Sequence, residues 1–394
     1  MRRTAAVAIA GALLLLAGCQ DDGDGGDSAA PSTAESRPAS VALTPSDGAV
    51  DVPPATPLEI SVTDGELGEV TVTDPAGAPV PGSVADSPED AAVDVWTPEG
   101  DLAYGTTYTL TAGASGADGE AVEAVSTFTT VTPAGLSTPD IGPLDGQTVG
   151  VGMPIRVYFD EPVSDRAAVE SHLLVRSSAP TDGVWSWFGD AEVHFRPSTF
   201  WPANTDVTLH ADLYGVSFGD GIWGERDRTI SFRVGDRHVS IADAGTHVME
   251  VYDGDRLVQS YPISAGSPEN PSRNGVHVVT ELNRNRIMDS STFGVPADGP
   301  GGYRTPVEYA VRISNNGEFV HAAPWSVAQQ GNTNVSHGCI NMSTERAAWF
   351  FDFSRPGDVV EIRNSVGPTL GPTDGDIHDW TIPWDQWVGG SALR

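Results

Sequence analysis

A cysteine and a histidine are the residues of this chain best suited to nucleophilic chemistry. Cys339 lies in the run Ser336-His337-Gly338-Cys339-Ile340-Asn341, and His321 precedes that run. A thiol attacks a carbonyl carbon as the thiolate, and a histidine within hydrogen-bond reach can take its proton. Gly338 allows a tight turn, in which the amides of Gly338 and Cys339 could point at a developing oxyanion. We therefore predict that Cys339 is a nucleophile and that His321 is its general base.

Other interpretations of these residues stay open at this point. Cys339 could be a small core residue, or it could bind zinc together with His321 and His337, although the sequence offers no further zinc ligand nearby. On an extended backbone we expect His337 to point away from Cys339. The group that orients His321 is also open: Asp289, Asp352 and the backbone carbonyl that follows His321 are the candidates.

The residues around this pair predict a β-rich domain over 237–365 with one short helix. The helix follows the cysteine motif, with Ser343 as its N-cap and Glu345 in its first turn, and Pro356-Gly357 ends it. Met288 begins a segment rich in Ser, Gly and Pro that extends to Arg304, which indicates either a lid over a binding site or a passive insertion. Alternating apolar residues predict strands at 238–241, 247–252, 257–261, 275–279, 318–320 and 359–362.

Two related modules precede that domain. Residues 46–50 resemble residues 144–148, and the run that begins at residue 104 resembles the run that begins at residue 202, at the same offset. Short alternating strands with frequent turns predict two immunoglobulin-like sandwiches, at 41–134 and 135–236. The segment 366–394 carries three tryptophans between positions 380 and 387, so we expect it to pack back onto the folded domains. The predicted fold class is mainly β.

The composition excludes some partners. The chain has 394 residues and a net charge of −33, and its region 41–135 contains no arginine or lysine. A surface this acidic argues against nucleic acid and against electrostatic attachment to anionic lipid. We expect no metal and no organic cofactor.

The first residues predict export. A basic start at Arg2-Arg3 is followed by an apolar stretch and by Ala17-Gly18-Cys19, which is typical of a secretory signal. The end of this segment resembles a bacterial lipobox, and in that case 1–19 is a lipoprotein signal and Cys19 carries the lipid. An ordinary signal with an incidental cysteine is the alternative. Residues 20–40 are predicted to form a disordered tether.

The residues in the last domain carry a resemblance to a known family. His321, fourteen further residues and then Ser-His-Gly-Cys-Ile-Asn resemble the signature of the L,D-transpeptidase (YkuD-type) family, and 271–276 resembles that family's Pro-x-Gly segment. With two immunoglobulin-like modules and a lipobox, the whole chain is similar to the actinobacterial, mycobacterial-type members. The resemblance implies that His337 and Gly338 shape the oxyanion region with Cys339. It also implies a supporting or substrate-binding role for Met288, Phe293, Tyr303, Trp325, Ser336 and Asn341. Relatives often have tyrosine where this chain has Phe293.

The resemblance implies peptidoglycan chemistry and a role in cell-wall biogenesis and cell shape. A donor tetrapeptide stem would acylate Cys339 and lose its terminal D-alanine, and an acceptor stem would take the acyl group to give a 3→3 cross-link. Carbapenem β-lactams are implied as covalent inhibitors. The expected place of action is the cell wall, with a lipid anchor on the outer face of the membrane. The alternatives are an L,D-carboxypeptidase of the same fold and a non-catalytic wall-binding lipoprotein.

Overall fold

The computed structural model describes residues 37–375 and 377–394, and at Phe293 it describes the backbone alone. Cys19, the predicted signal at 1–19 and most of the predicted tether lie outside the described residues. In the part of the chain that is described, no helix has the length and apolar character needed to cross a membrane.

The first module is a sandwich of two antiparallel sheets. One sheet has the order β1-β2-β5-β4 and the other β3-β6-β7. Alternate residues of β6 face inward, because side chains on a strand alternate between its two faces. Leu110 and Ala112 of that strand pack with Ile60, Trp96 and Phe128. The strands are β1 (Ser40–Thr44), β2 (Leu58–Thr63), β3 (Gly65–Thr73), β4 (Gly82–Asp86), β5 (Val93–Pro98), β6 (Thr107–Gly116) and β7 (Ala121–Thr129).

The second module has two four-stranded sheets, β10-β18-β15-β12 and β13-β14-β11-β9, and a small sheet β16-β17-β8. It also contains a short helix, which the sequence did not predict: Asp165 caps it by accepting a hydrogen bond from the amide of Ala168. The elements are β8 (Gly135–Ser137), β9 (Asp140–Gly142), β10 (Thr148–Val149), β11 (Ile155–Tyr158), α1 (Arg166–Ser171), β12 (Leu173–Ser177), β13 (Gly183–Trp187), β14 (Glu192–Pro197), β15 (Asp206–Ala211), β16 (Ser217–Gly219), β17 (Ile222–Gly224) and β18 (Arg228–Val234).

Two sheets also form the last domain, in the orders β21-β20-β19-β27-β22 and β23-β24-β25-β26. The predicted helix is α2, and Ser343 caps it by accepting from the amide of Arg346. A third helix, α3, was not predicted. The elements of this domain and of the segment that follows it are β19 (His238–Asp243), β20 (Val248–Asp253), β21 (Arg256–Pro262), β22 (Gly275–Val278), β23 (Glu281–Asp289), β24 (Arg304–Arg312), β25 (Phe319–Ala322), β26 (Ile340–Met342), α2 (Thr344–Phe353), β27 (Val359–Arg363) and, after the domain, α3 (Trp384–Val388).

The last domain and the second sandwich share one apolar core. Val239, Val278 and Val359 of the last domain pack into the core of the second sandwich. The backbones also meet, since the amide of Gly152 donates to the carbonyl of Gly357 at 2.8 Å. Gly357 has φ +94° and faces the backbone of Gly150 so closely that a Cβ would clash. The two parts are therefore joined by packing as well as by the chain.

Residues after 377 return to the second sandwich. The indole of Trp387 is fully buried and donates to the carbonyl of Val184 at 2.8 Å. The guanidinium of Arg196 lies 4.6 to 5.2 Å from the ring centroids of three tryptophans, Trp380, Trp384 and Trp387. Burial lowers the pKa of Arg196 to about 10, which still leaves it charged at neutral pH. The tryptophans that the sequence singled out thus surround one buried cation.

Candidate active site

Two neighbouring strands bring His321 and Cys339 together. Strands β25 and β26 run parallel, with His321 opposite Asn341. Cys339 immediately precedes β26, at the end of the turn that contains Gly338. The side chains of His321 and Cys339 line one cavity of about 340 Å³.

The histidine is held in a single tautomer. Its Nδ1 lies 2.8 Å from the carbonyl of Ala322, which can only accept, so Nδ1 carries the hydrogen. Nε2 is then the nitrogen that can take a proton. Burial lowers the pKa of His321 below its usual value, and the carbonyl of Ala322 opposes that shift. His321 is therefore neutral near pH 7, and of the three orienting groups considered from the sequence, the structure shows the backbone carbonyl.

The thiol of Cys339 is buried and protonated. Its Sγ donates to the carbonyl of Gly317 at 3.6 Å. Burial raises the pKa of Cys339 to about 12, against a smaller lowering by the backbone hydrogen bond of Phe319. A thiol in this state attacks a carbonyl only if a base removes its proton as the new bond forms.

The turn before Cys339 is fixed by two serines. Ser336 Oγ donates to the carbonyl of Cys339 at 2.6 Å and accepts from the amide of Gly338 at 3.1 Å. Ser272 Oγ donates to the carbonyl of Gly338 at 2.6 Å. Gly338 has φ +119°, a conformation that favours glycine. Because Ser336 already accepts the amide hydrogen of Gly338, the amide of Cys339 is the better placed of the two predicted oxyanion donors.

A buried carboxylate lies behind this turn. Glu318 accepts from the amide of Arg273 at 2.7 Å and from the hydroxyl of Ser314 at 3.1 Å, and it pairs with Nε2 of His277 at 3.2 Å. The segment 271–276 is thereby held against the turn before Cys339. Sequence reasoning missed Ser272, Glu318 and His277, because serines and single charges carry no signal until the fold brings them together.

Most of the predicted pocket residues line the same cavity. Met288, Tyr303, Trp325, Ser336, His337 and Asn341 surround it together with Cys339 and His321. The segment around His337 is a turn and not an extended strand, since Gly338 has φ +119°; the His337 ring lies 4.9 Å from the Tyr303 ring, and its direction relative to Cys339 stays a prediction. The side chain of Phe293 lies outside the described part. Three lining residues were not predicted: Thr305, Val307 and Val335.

The remaining predicted residues differ in exposure. Trp325 is 57% exposed, and its ring centroid lies 6.2 Å from that of His321 at the mouth of the cavity. Asn341 is buried and donates to Ser326 Oγ at 3.2 Å, so it supports the wall. Burial raises the pKa of Tyr303 to about 12. Over residues 37–375 and 377–394, no three His, Cys, Asp or Glu side chains are grouped to hold a metal ion, so the zinc alternative finds no ligand set there.

Comparisons with known proteins agree with this geometry. Residues 237–362 match a family profile described as the L,D-transpeptidase catalytic domain, and residues 49–217 match one described as a bacterial Ig domain. The chain is 42% identical over 346 residues to L,D-transpeptidase 2 of Mycobacterium tuberculosis (strain CDC 1551 / Oshkosh). The matched region covers 88% of this chain and 83% of the relative.

The chain belongs to the L,D-transpeptidase family. It is also 40% identical over 356 residues to L,D-transpeptidase 5 of Mycobacterium tuberculosis (strain ATCC 25618 / H37Rv), covering 89% of this chain and 76% of that one. A solved structure of the LD transpeptidase LdtMt1 in complex with imipenem covers 59% of this chain and 99% of its own, with 35% identity and a TM-score of 0.51. The predicted fold class and family are confirmed, and the protein is a peptidoglycan L,D-transpeptidase of the acyltransferase type.

Proposed function

We propose that Cys339 is the nucleophile of this L,D-transpeptidase and that His321 is its general base. The observation that carries the proposal is that a neutral histidine on β25 and a buried thiol just before its partner strand β26 line the same cavity. Since the thiol is protonated, deprotonation and attack are coupled, and no stable thiolate is needed beforehand.

In the first step, Nε2 of His321 takes the thiol proton while Sγ bonds to the carbonyl carbon of the third residue of the donor stem. The developing oxyanion lies at the turn 336–339, where the amide of Cys339 can donate to it. The carbon–nitrogen bond to the terminal D-alanine then breaks. His321 returns the proton to the leaving amine, and a thioester on Cys339 remains.

In the second step, the side-chain amine of an acceptor stem attacks the thioester. His321 takes a proton from that amine, the carbon–sulfur bond breaks, and the sulfur recovers its proton. One amide bond is lost and one is formed, which gives a 3→3 cross-link. Met288, Tyr303, Trp325, Ser336 and Asn341 form the wall that holds the donor, and His337 and Gly338 shape the turn.

The rest of the chain is proposed to place this chemistry in the cell wall. The sequence of 1–19 supports an export signal, and Cys19 would carry a lipid on the outer face of the membrane. Residues 20–40 would be the tether, the sandwiches at 41–134 and 135–236 the spacer, 237–365 the catalytic domain, and 366–394 the extension. A globomycin-sensitive shift in the mass of the exported protein would test Cys19, and no shift for Cys19→Ala is expected.

Incubation with a disaccharide tetrapeptide tests the acceptor. We expect cross-linked dimers together with free D-alanine in equal amounts, because each acyl transfer releases one D-alanine. Tripeptide without dimer would show instead that water is the acceptor, as in an L,D-carboxypeptidase. If folded protein gives neither dimer nor tripeptide, the result would favour the non-catalytic wall-binding alternative.

Exposure to a carbapenem tests the nucleophile. A relative of this chain has been solved with imipenem, and we expect wild-type protein to gain the mass of one carbapenem. Cys339→Ala should gain none. An adduct that persists in Cys339→Ala would refute the assignment, and the conservative variant Cys339→Ser serves as the control for folding.

A further inference from the structure

A second cavity, of about 250 Å³, lies beside the one that contains the thiol. Met288 and Tyr303 line both cavities and form their common wall. Gly317 lines the second cavity, and its carbonyl is the group that accepts the Cys339 thiol at 3.6 Å. The edge of the second cavity at Gly317 therefore lies about as far from the reacting sulfur as one extended residue is long, about 3.5 Å.

Positive charge faces this cavity in a protein whose net charge is −33. Arg286 and Arg312 line it, and their guanidinium carbons lie 5.0 and 4.7 Å from the ring centroid of Phe319. Both arginines pair with the same carboxylate, that of Glu281, at 3.3 and 3.0 Å. Two cations thus share one anion, and one positive charge is left over.

The acidic residue in the lining does not cancel that charge. Asp289 accepts from the amide and the hydroxyl of Ser291, and it lies 3.6 Å from a third guanidinium, that of Arg304. Counting the groups named here, three arginines stand against two carboxylates. The described contact of Arg286 with Glu281 uses Nη1, and a guanidinium has five N–H donors, so it can bind a further anion.

We propose that this second cavity is an anion subsite that binds the terminal carboxylate of the donor stem, the group that leaves with D-alanine. The inference rests on the proposed attack by Cys339. The scissile carbonyl lies one residue from the donor's free carboxylate, and one residue spans about 3.5 Å, which suits a site that begins at Gly317. A planar guanidinium binds a carboxylate through paired hydrogen bonds. The subsite would hold the end of the donor and favour a stem with only one residue after the scissile bond.

Two donors that differ only at the end test this subsite: the tetrapeptide with a free carboxylate, and the same peptide ending in D-alaninamide. Release of D-alanine or D-alaninamide is followed by mass spectrometry for wild type, Arg286→Gln and Arg286→Lys. Arg286 is preferred to Arg312, because Arg312 also lowers the pKa of Cys339 and its loss would alter the nucleophile. Arg284→Gln is the matched control, since Arg284 lies on the same strand and contacts Glu308 and Tyr309 instead.

For wild type we expect kcat/KM to fall about ten- to a hundred-fold from the acid to the amide, the loss typical of a hydrogen bond to a charged group. Arg286→Gln should lose a similar factor on the acid and show an acid-to-amide ratio near one, Arg286→Lys should be intermediate, and Arg284→Gln should keep the wild-type ratio. Damage to the fold would slow both donors equally and leave the ratio unchanged.

Several outcomes would overturn the subsite. A wild-type ratio near one, with release that depends on Cys339, would refute the subsite and leave the proposed function intact. A wild-type ratio retained by Arg286→Gln would refute it too. Release of neither product by wild type would instead refute the proposed function on which the subsite rests.

Discussion

His321 in the cavity that contains Cys339 and His194 in the second sandwich are both almost fully buried, with 4% and 1% of their surface exposed. Their neighbours differ. His321 contacts a carbonyl through Nδ1, whereas His194 has Asp379 at 3.0 Å from Nδ1 and Glu192 at 2.6 Å from Nε2. Burial lowers the pKa of both rings, but the two carboxylates outweigh it at His194 and raise the pKa there.

The comparison shows that the partners, and not the depth of burial, decide what a buried histidine does. A ring with one carbonyl partner keeps a nitrogen that can accept a proton, which suits a base. A ring between two carboxylates is protonated on both nitrogens and forms a buried ion pair with them, called the tie below. In this protein the tie joins the extension after 377 to the second sandwich.

The largest effect is expected from His321→Gln. The amide keeps a polar group of similar size but cannot take a proton, so kcat/KM should fall about 10²- to 10⁴-fold. Steady-state release of D-alanine measures it, and thermal unfolding should show a folded protein. Activity within two-fold of wild type would mean that another group is the base.

Removal of the buried partner of His194 should affect stability instead. Asp379→Ala leaves a buried imidazolium with one carboxylate, which should cost about 2–4 kcal/mol in the free energy of unfolding. Denaturant titration measures this loss. The fraction of protein whose thiol is acylated is counted from the carbapenem mass shift, and kcat is divided by that fraction. This corrected kcat should stay near the wild-type value. A large fall would show that the His194–Asp379 pair and the active site are coupled.

Sequence reasoning singled out His321 and Cys339, which line one cavity in the structure, because the spacing of His321 and the cysteine motif is local and carries its own chemistry. It also placed α2, whose cap at Ser343 and stop at Pro356 are short-range signals. It did not reach the His194–Asp379 tie, because these residues are far apart in the chain and meet only when the extension folds back. Arg286 and Arg312 were missed for the same reason: their shared partner Glu281 is set by the register of β23 with β24. Helices α1 and α3 are short and are stabilised by packing, which propensity does not record.

The pH dependence of stability separates the two histidines by sign. The folded-state pKa of His194 lies above its ordinary value of about 6.5, so its contribution is complete below that pH and is lost as pH rises through the folded pKa. The folded-state pKa of His321 lies below that value, so its contribution is complete above about pH 6.5 and is lost as pH falls. Unfolding free energies of wild type, His194→Gln and His321→Gln from pH 5 to 9 measure both. The variant His194→Gln should lose the decline in stability at alkaline pH. The variant His321→Gln should lose part of the decline at acid pH. Identical profiles for the three proteins would contradict the assignment.

The smallest effect is expected from Glu192→Gln. Glu192 is 28% exposed at its side chain, so water screens its pairing with His194, and the amide oxygen can still accept the hydrogen bond. A loss of about 0.5–1 kcal/mol is expected, measured by the same denaturant titration as Asp379→Ala. A loss as large as that of Asp379→Ala would show that the exposed carboxylate contributes equally to the tie.

The return of the extension to the second sandwich has a topological consequence. The chain enters the catalytic domain through the short connector between β18 and β19, and it comes back to Glu170, which accepts from the amide of Ala392 at 2.8 Å. A single connector would let the catalytic domain rotate relative to the second sandwich, whereas two attachments to the same sandwich fix its orientation. A protease that nicked the connector would therefore leave a two-fragment complex, with the catalytic domain still seated on its sandwich.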